Sequence, residues 1–238
     1  MNKKLIADFA LYAHENDPDG TGDRIAKAFL ALLKFEYQYK LAHYDYVRIL
    51  ASDGPPGELK ISGLSPISKC IFFVEMGRFQ DLNEPRSFDY WLDLLSNLLK
   101  TLAQQENSEI EPIEEARLKI LADKTCTTVK MTKLVKQTRK YLIEPELKLK
   151  ANYFGLLLYV RLTELATGLV AYRFIAQAHF LDIIGMCHHF SITDNQLVLH
   201  HKPQWSGLAH YRERGFVAPL KIPLEKFQFS NPSSQNIQ

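Results

Sequence analysis

The sequence has few cysteines and lacks the short motifs that most often carry catalytic chemistry. Its three cysteines, Cys70, Cys126 and Cys187, are widely spaced and odd in number. This spacing supports neither a disulfide framework nor a paired zinc motif, so we expect a reducing, cytoplasmic environment. A Gly-x-Ser-x-Gly elbow, a dinucleotide-binding glycine motif and a His-x-x-x-His pair are also missing. Enzyme classes that depend on those motifs are therefore disfavoured.

Neither a dominant charge nor a long uncharged apolar run is present. The formal net charge is +2, from 29 Lys and Arg against 27 Asp and Glu, so the charge of the whole molecule predicts no particular partner. Arg161, Glu164, Arg173 and Asp182 interrupt the longest apolar region before it reaches the roughly 18 to 20 residues that a bilayer span requires. The hydrophobic content of 46% is ample for a core. We therefore expect a folded protein with no membrane partner.

The longest apolar region, from Ala151 to Phe190, predicts helices. Its apolar residues recur at spacings of three and four, which keeps one face of a helix apolar; they include Leu158, Leu162, Leu165 and Leu169. Glycine tolerates the left-handed conformation that closes helices, so Thr167 and Gly168 mark a break. The pattern predicts two helices that pack as a hairpin.

Several other segments carry the same helical spacing. The apolar residues between Leu5 and Tyr12 predict a first helix, and those from Ile25 to Leu33 predict a second. A longer helix is predicted from Phe88 to Leu102, and Pro112 begins another. Two segments remain ambiguous between helix and strand: Phe35–Ile49, where helix is preferred, and Cys70–Val74.

These patterns predict a mainly α protein with two helical lobes and a small C-terminal β-hairpin, with an α+β fold as the alternative. The hairpin follows from the alternation in Gln196–His200, with Phe216–Ile222 as its partner. A polar run at Gln104–Glu109 predicts a domain boundary. The predicted domains are an N-terminal helical lobe, 1–105, a C-terminal lobe with a basic helix, a helical hairpin and the β element, 112–230, and a flexible tail, 231–238.

A basic amphipathic helix is predicted within the segment from Lys124 to Lys150, ending before Pro145. Its apolar residues occupy one half of a helical wheel, and the other half carries Lys130, Lys133, Lys136, Arg139 and Lys140. The apolar half would pack on the core, and the five cations would bind nucleic-acid phosphates without base specificity. A solvated surface helix is the alternative. A segment that is not helical, or cations neutralised by the protein's own carboxylates, would contradict the prediction.

Six of the eight histidines lie in the last third of the chain. Imidazole and carboxylate groups bind zinc readily, and a metal-activated water would support hydrolysis. The candidate ligands are His179, Asp182, His188 and His201. Hydrogen-bonded or solvent-facing side chains are the alternative interpretation, because adjacent histidines point in different directions on a helix or strand.

The sequence thus leads to three functional hypotheses. The preferred one is a non-catalytic nucleic-acid-associated or regulatory subunit that binds phosphates through the basic helix and needs no cofactor. The second is a metal-dependent hydrolase that uses a divalent ion such as zinc. The third is a protein interaction or assembly subunit, whose Tyr and Phe side chains cover a partner or a second copy of the chain.

Overall fold

The computed structural model divides the chain into two compact units, Met1–Thr127 and Thr128–Gln238. It describes residues 4–5, 8–12, 20–41, 46–52, 59–64, 67–75, 88–150, 156–178, 180–203 and 219–232. The domain boundary that the sequence predicts after residue 105 stays a prediction.

The first unit contains a mixed four-stranded sheet. Its strands lie in the order β2-β4-β6-β5, in which β4 is parallel to both β2 and β6, and β5 is antiparallel to β6. A separate antiparallel pair joins β1 to β3. The strand bounds are β1 Lys4–Leu5, β2 Asp8–Tyr12, β3 Lys40–Leu41, β4 Tyr46–Ser52, β5 Leu59–Leu64 and β6 Ile67–Glu75.

Three helices complete the described part of this unit: α1 Thr21–Ala31, which continues as a π-helical turn at Leu32–Glu36, α2 Phe88–Gln105 and α3 Glu111–Ala122. The three helices pack against one another, and α1 also contacts β2. The apolar residues of α2 recur every three or four positions, and Trp91, Leu95 and Leu99 among them are fully buried. The predicted helices at Ile25–Leu33, Phe88–Leu102 and from Pro112 are confirmed.

The second unit is built mainly from antiparallel strands. Its larger sheet has the order β11-β10-β9-β7, and the short β8 also pairs with β9. A single 3-10 turn, Thr132–Leu134, separates β7 from β8. The strand bounds are β7 Cys126–Lys130, β8 Lys136–Gln137, β9 Tyr141–Lys150, β10 Leu156–Glu164 and β11 Val170–Ala178.

A second sheet in this unit has three antiparallel strands in the order β12-β13-β14. It follows the short helix α4 Phe180–Met186, and its bounds are β12 His189–Thr193, β13 Gln196–His200 and β14 Leu220–Pro223. Buried side chains come from both sheets and from α4, with Leu158, Phe190 and Ile183 among them. The predicted pairing of Gln196–His200 with the 216–222 segment is found between β13 and β14, over residues 220–223.

The fold is α+β or mainly β, so the prediction of a mainly α protein is wrong. Where the structure describes the region Ala151–Phe190, the predicted helical hairpin is instead β10, β11, α4 and the start of β12. Leu158, Val160 and Leu162 alternate with more exposed residues in β10, which is the two-residue period of a strand. Gly168 does mark a break, because it adopts a positive φ of 70° in the turn between β10 and β11.

Two further helix predictions are wrong. The predicted first helix contains β2, and the preferred helix at Phe35–Ile49 contains β3 and most of β4. Cys70–Val74, which the sequence leaves open between helix and strand, lies within the strand β6. The parallel strands β4 and β6 pair directly with each other. Strands at the centre of a parallel sheet are buried on both faces, so their sequences are continuous apolar runs. The spacing of apolar residues in such a run does not distinguish a strand from a helix. Among the described residues, none of the helices combines the length and apolarity that a membrane crossing requires.

Candidate functional site

The predicted basic helix is wrong, because its residues form an edge of the larger sheet in the second unit. Val129 is buried near the end of β7, the 3-10 turn follows, and β8 then pairs Lys136 with Ile143 of β9. The alternation in β9 buries residues 143, 145, 147 and 149 and turns the even-numbered residues outward. Pro145 therefore lies inside a strand, opposite Val160, and its carbonyl accepts a hydrogen bond of 3.0 Å from the Met131 amide.

The eleven residues from Lys130 to Lys140 nevertheless form a strongly cationic segment. They include five basic side chains and no acidic one, and the five are all exposed: Lys130, Lys133, Lys136, Arg139 and Lys140. Within the part of the chain that the structure describes, the last four of these form no ion pair with a carboxylate. We call residues 130–140 the cationic segment.

The end of the cationic segment is held in place by hydrogen bonds of its backbone. The Thr138 amide donates to the Tyr141 carbonyl at 2.8 Å, and the Tyr141 amide donates to Thr138 Oγ1 at 2.9 Å. The Lys140 carbonyl accepts a bond of 2.8 Å from the Leu165 amide in the turn after β10. Because this backbone is anchored on both sides, Arg139 and Lys140 are presented from a defined turn.

Histidines of the smaller sheet lie close to the cationic segment. His189 and His200 are register partners on β12 and β13, and their rings stack with centroids 4.1 Å apart and planes 9° apart. Desolvation, then His200, His188 and Lys136, lower the pKa of His189 below its ordinary 6.5. Desolvation, followed by Lys136, lowers the pKa of His200 as well. The charge of Lys136 therefore acts on both rings of this histidine stack.

The predicted metal ligands do not come together as a metal site in the described residues. His179 lies outside those residues, and Asp182 is partly buried in α4. The His188 amide donates to the His200 carbonyl, while His201 Nδ1 lies 2.8 Å from the Lys202 carbonyl oxygen. Among the described residues, no three His, Cys, Asp or Glu side chains could hold a metal ion. The metal-dependent hydrolase stays a prediction that no described site supports.

The larger sheet carries a group of aromatic side chains that the sequence reasoning missed. Tyr159 stacks on Tyr172 with ring centroids 5.0 Å apart and planes 7° apart, and it meets Phe174 edge-on at 5.5 Å. Lys148 Nζ lies 5.1 Å from the centroid of each tyrosine ring. We call Tyr159, Tyr172 and Phe174 the aromatic face. The strand alternation of β10 was the signal that could have revealed it.

The two carboxylates on this side of the sheet are engaged by neighbouring side chains. Glu144 lies 3.8 Å from Arg161 on β10, its register partner. Glu146 accepts a hydrogen bond from the Tyr172 hydroxyl. Arg161 therefore offsets part of the charge of Glu144, whereas the neutral Tyr172 hydroxyl gives Glu146 a hydrogen bond without offsetting its charge. Basic residues at the β7 and β9 side lie beside the aromatic face.

Comparison with other proteins does not identify the chain. No protein-family model, curated protein or solved structure matches it. The features of this chain that bear on function are therefore its own cationic segment, histidine stack and aromatic face.

Proposed function

We propose that the second unit is a non-catalytic nucleic-acid-binding module that contacts the phosphate backbone through the cationic segment, without base specificity. The observation that supports this most is the absence of carboxylate partners for Lys133, Lys136, Arg139 and Lys140 in the described part of the chain. The prediction in its helical form is contradicted, because the segment is not helical; the present proposal rests on a different geometry, in which a strand edge and its turns present the cations.

Exposed cations attract a polyanion because binding releases counterions condensed on the phosphates. On duplex DNA, log affinity falls with log salt by about 0.9 per neutralised phosphate, so five engaged cations correspond to a slope of about −4.5. The neighbouring histidines add little positive charge at neutral pH, because desolvation and nearby cations lower the pKa values of His189 and His200. The lysines and the arginine therefore supply most of the attraction.

The test is a salt titration of the full chain with a fluorescently labelled DNA duplex. The double variant Lys133→Glu with Lys136→Glu should reduce the slope to about −2.7, since about 0.9 is lost for each contact removed. The matched control carries Lys221→Glu with Lys226→Glu, which reverses the same number of exposed charges in the same unit.

The control should keep the original slope. A flat titration of the unmodified protein, or equal slopes for both double variants, contradicts the proposal. Measuring the mass of the protein in solution with and without the DNA addresses the interaction-subunit hypothesis, because self-association in the absence of nucleic acid would favour that hypothesis instead.

A further inference from the structure

We propose that the aromatic face binds unpaired bases, so that the nucleic acid recognised by this module is single-stranded. This inference rests on the proposed function and specifies its ligand. In a duplex the bases are stacked on one another, and their flat surfaces cannot reach an external ring. A single strand can instead lay successive bases on aromatic side chains while its phosphates contact nearby cations.

The three rings lie side by side on one face of the larger sheet. Tyr159 and Phe174 are register partners on β10 and β11, and Tyr172 is the partner of Arg161, two residues further along β10. Side chains of register partners point to the same face of a sheet. Phe174 is 47% exposed, which is high for a large apolar side chain and leaves much of its ring available to a ligand.

Basic residues border the same face at the β7 and β9 side. Val129 is buried in β7, so Lys130, the next residue, points to the opposite, outer side of the strand. Lys148 shares this outer face and forms no ion pair among the described residues, and its ammonium lies over Tyr159 and Tyr172. Three strand spacings of about 4.8 Å separate β7 from β11, which is about 14 Å in total and within reach of a few nucleotides.

Both carboxylates beside this face have a partner within the sheet. Glu144 pairs with Arg161, and Glu146 accepts the Tyr172 hydroxyl hydrogen bond. We therefore expect the nucleic acid to lie across the sheet, with its phosphates toward the cationic segment and a base stacked on Phe174, the exposed ring of the aromatic face. A second copy of this chain or an apolar protein partner on the aromatic face is the alternative that the experiment must separate.

The experiment compares a labelled ten-nucleotide oligothymidine with a labelled DNA duplex on the full chain at fixed salt. Phe174→Ala should weaken oligothymidine binding about tenfold, equivalent to about 1.4 kcal/mol, within the range for loss of one stacked base. Duplex binding should change less than twofold. Phe174→Leu should show a similar loss, because leucine keeps apolar area but has no ring, whereas Phe174→Tyr should retain binding.

The matched control is Leu165→Ala, which truncates another exposed apolar side chain of the same unit, in the turn between β10 and β11. It should leave both affinities unchanged. Ultraviolet crosslinking of a 5-iodouracil oligonucleotide, followed by peptide mass spectrometry, should place the crosslink on β10 or β11 in the unmodified protein, and this readout does not depend on the folding of any variant.

The possible failures are distinguishable. The inference is overturned if Phe174→Ala weakens oligothymidine and duplex binding equally or weakens neither. It is also overturned if the crosslinks are confined to other segments. In each of these cases the lysine variants still decide the proposed function. Absence of binding to both nucleic acids overturns the two together. If Phe174→Ala changes the oligomeric mass of the protein in solution without nucleic acid, and oligothymidine binding is unaffected, the aromatic face is assigned to a second copy of the chain. That result also overturns the inference.

Discussion

Truncating Leu162 and Leu165 separately distinguishes the strand architecture from the helical hairpin that the sequence suggests. On one helical face the two leucines would both be buried, and both truncations would be costly. In the structure, Leu162 is 0% exposed at the centre of the sheet, between Ile143 and Ala171, whereas Leu165 is 42% exposed. Leu162→Ala should therefore lower the free energy of unfolding of the second unit by about 2 to 5 kcal/mol.

Leu165→Ala should cost less than about 0.5 kcal/mol, as surface substitutions usually do. Hydrogen exchange read by mass spectrometry on peptides covering 156–164 reports this difference, because protected strand amides exchange through opening of the unit. A loss of 2 kcal/mol corresponds to about 30-fold faster exchange, and the Leu165 variant should stay within about twofold. Comparable acceleration in both variants would refute the strand placement.

Two further predictions concern single side chains. Burial raises the pKa of Tyr39 to about 12, whereas a tyrosine in the unfolded chain ionises near pH 10. The stability that depends on the protonated phenol is therefore complete below pH 10 and is lost as the pH rises toward 12. Tyr39→Phe should make the free energy of urea unfolding less dependent on pH between 10 and 12. Asp194 and Asn195 have positive φ angles of 51° and 58° in the turn between β12 and β13, so Asn195→Val should cost about 1 to 2 kcal/mol, and Asn195→Gly should leave the melting temperature unchanged or higher.

The helices of the first unit were predictable because their apolar residues recur only at the spacing of three or four residues that is typical of a helix. In α2, Trp91, Leu95 and Leu99 are buried along one face while polar residues occupy the other, and the strand alternative has no support there. The region that forms β10, where a helix was predicted, is ambiguous in its apolar spacing. A spacing of four, as between Leu158 and Leu162, places residues on one face of a helix and also on one face of a strand.

The sequence was enough to predict which basic residues form the candidate site, but not how they are arranged in space. The run of cations from Lys130 to Lys140 is local, and its exposure follows from its polarity. The approach of Lys136 to the histidine stack depends on strand pairing across distant segments, which no local pattern encodes. The aromatic face depends in addition on a register shift between Leu158 and Tyr159, because this irregularity decides which residues of β11 stand beside Tyr159.

Pro145 explains why the basic edge of the larger sheet is discontinuous. A close antiparallel pair normally exchanges two hydrogen bonds, but proline has no N–H to return to Met131 once its carbonyl has accepted the Met131 amide. The ladder is left half complete at that step, and the next residues turn away as a 3-10 helix before pairing resumes at β8. Such a broken border is a poor template for a strand from another molecule, so the proline protects this side of the sheet from edge-to-edge aggregation independently of the repulsion between its lysines.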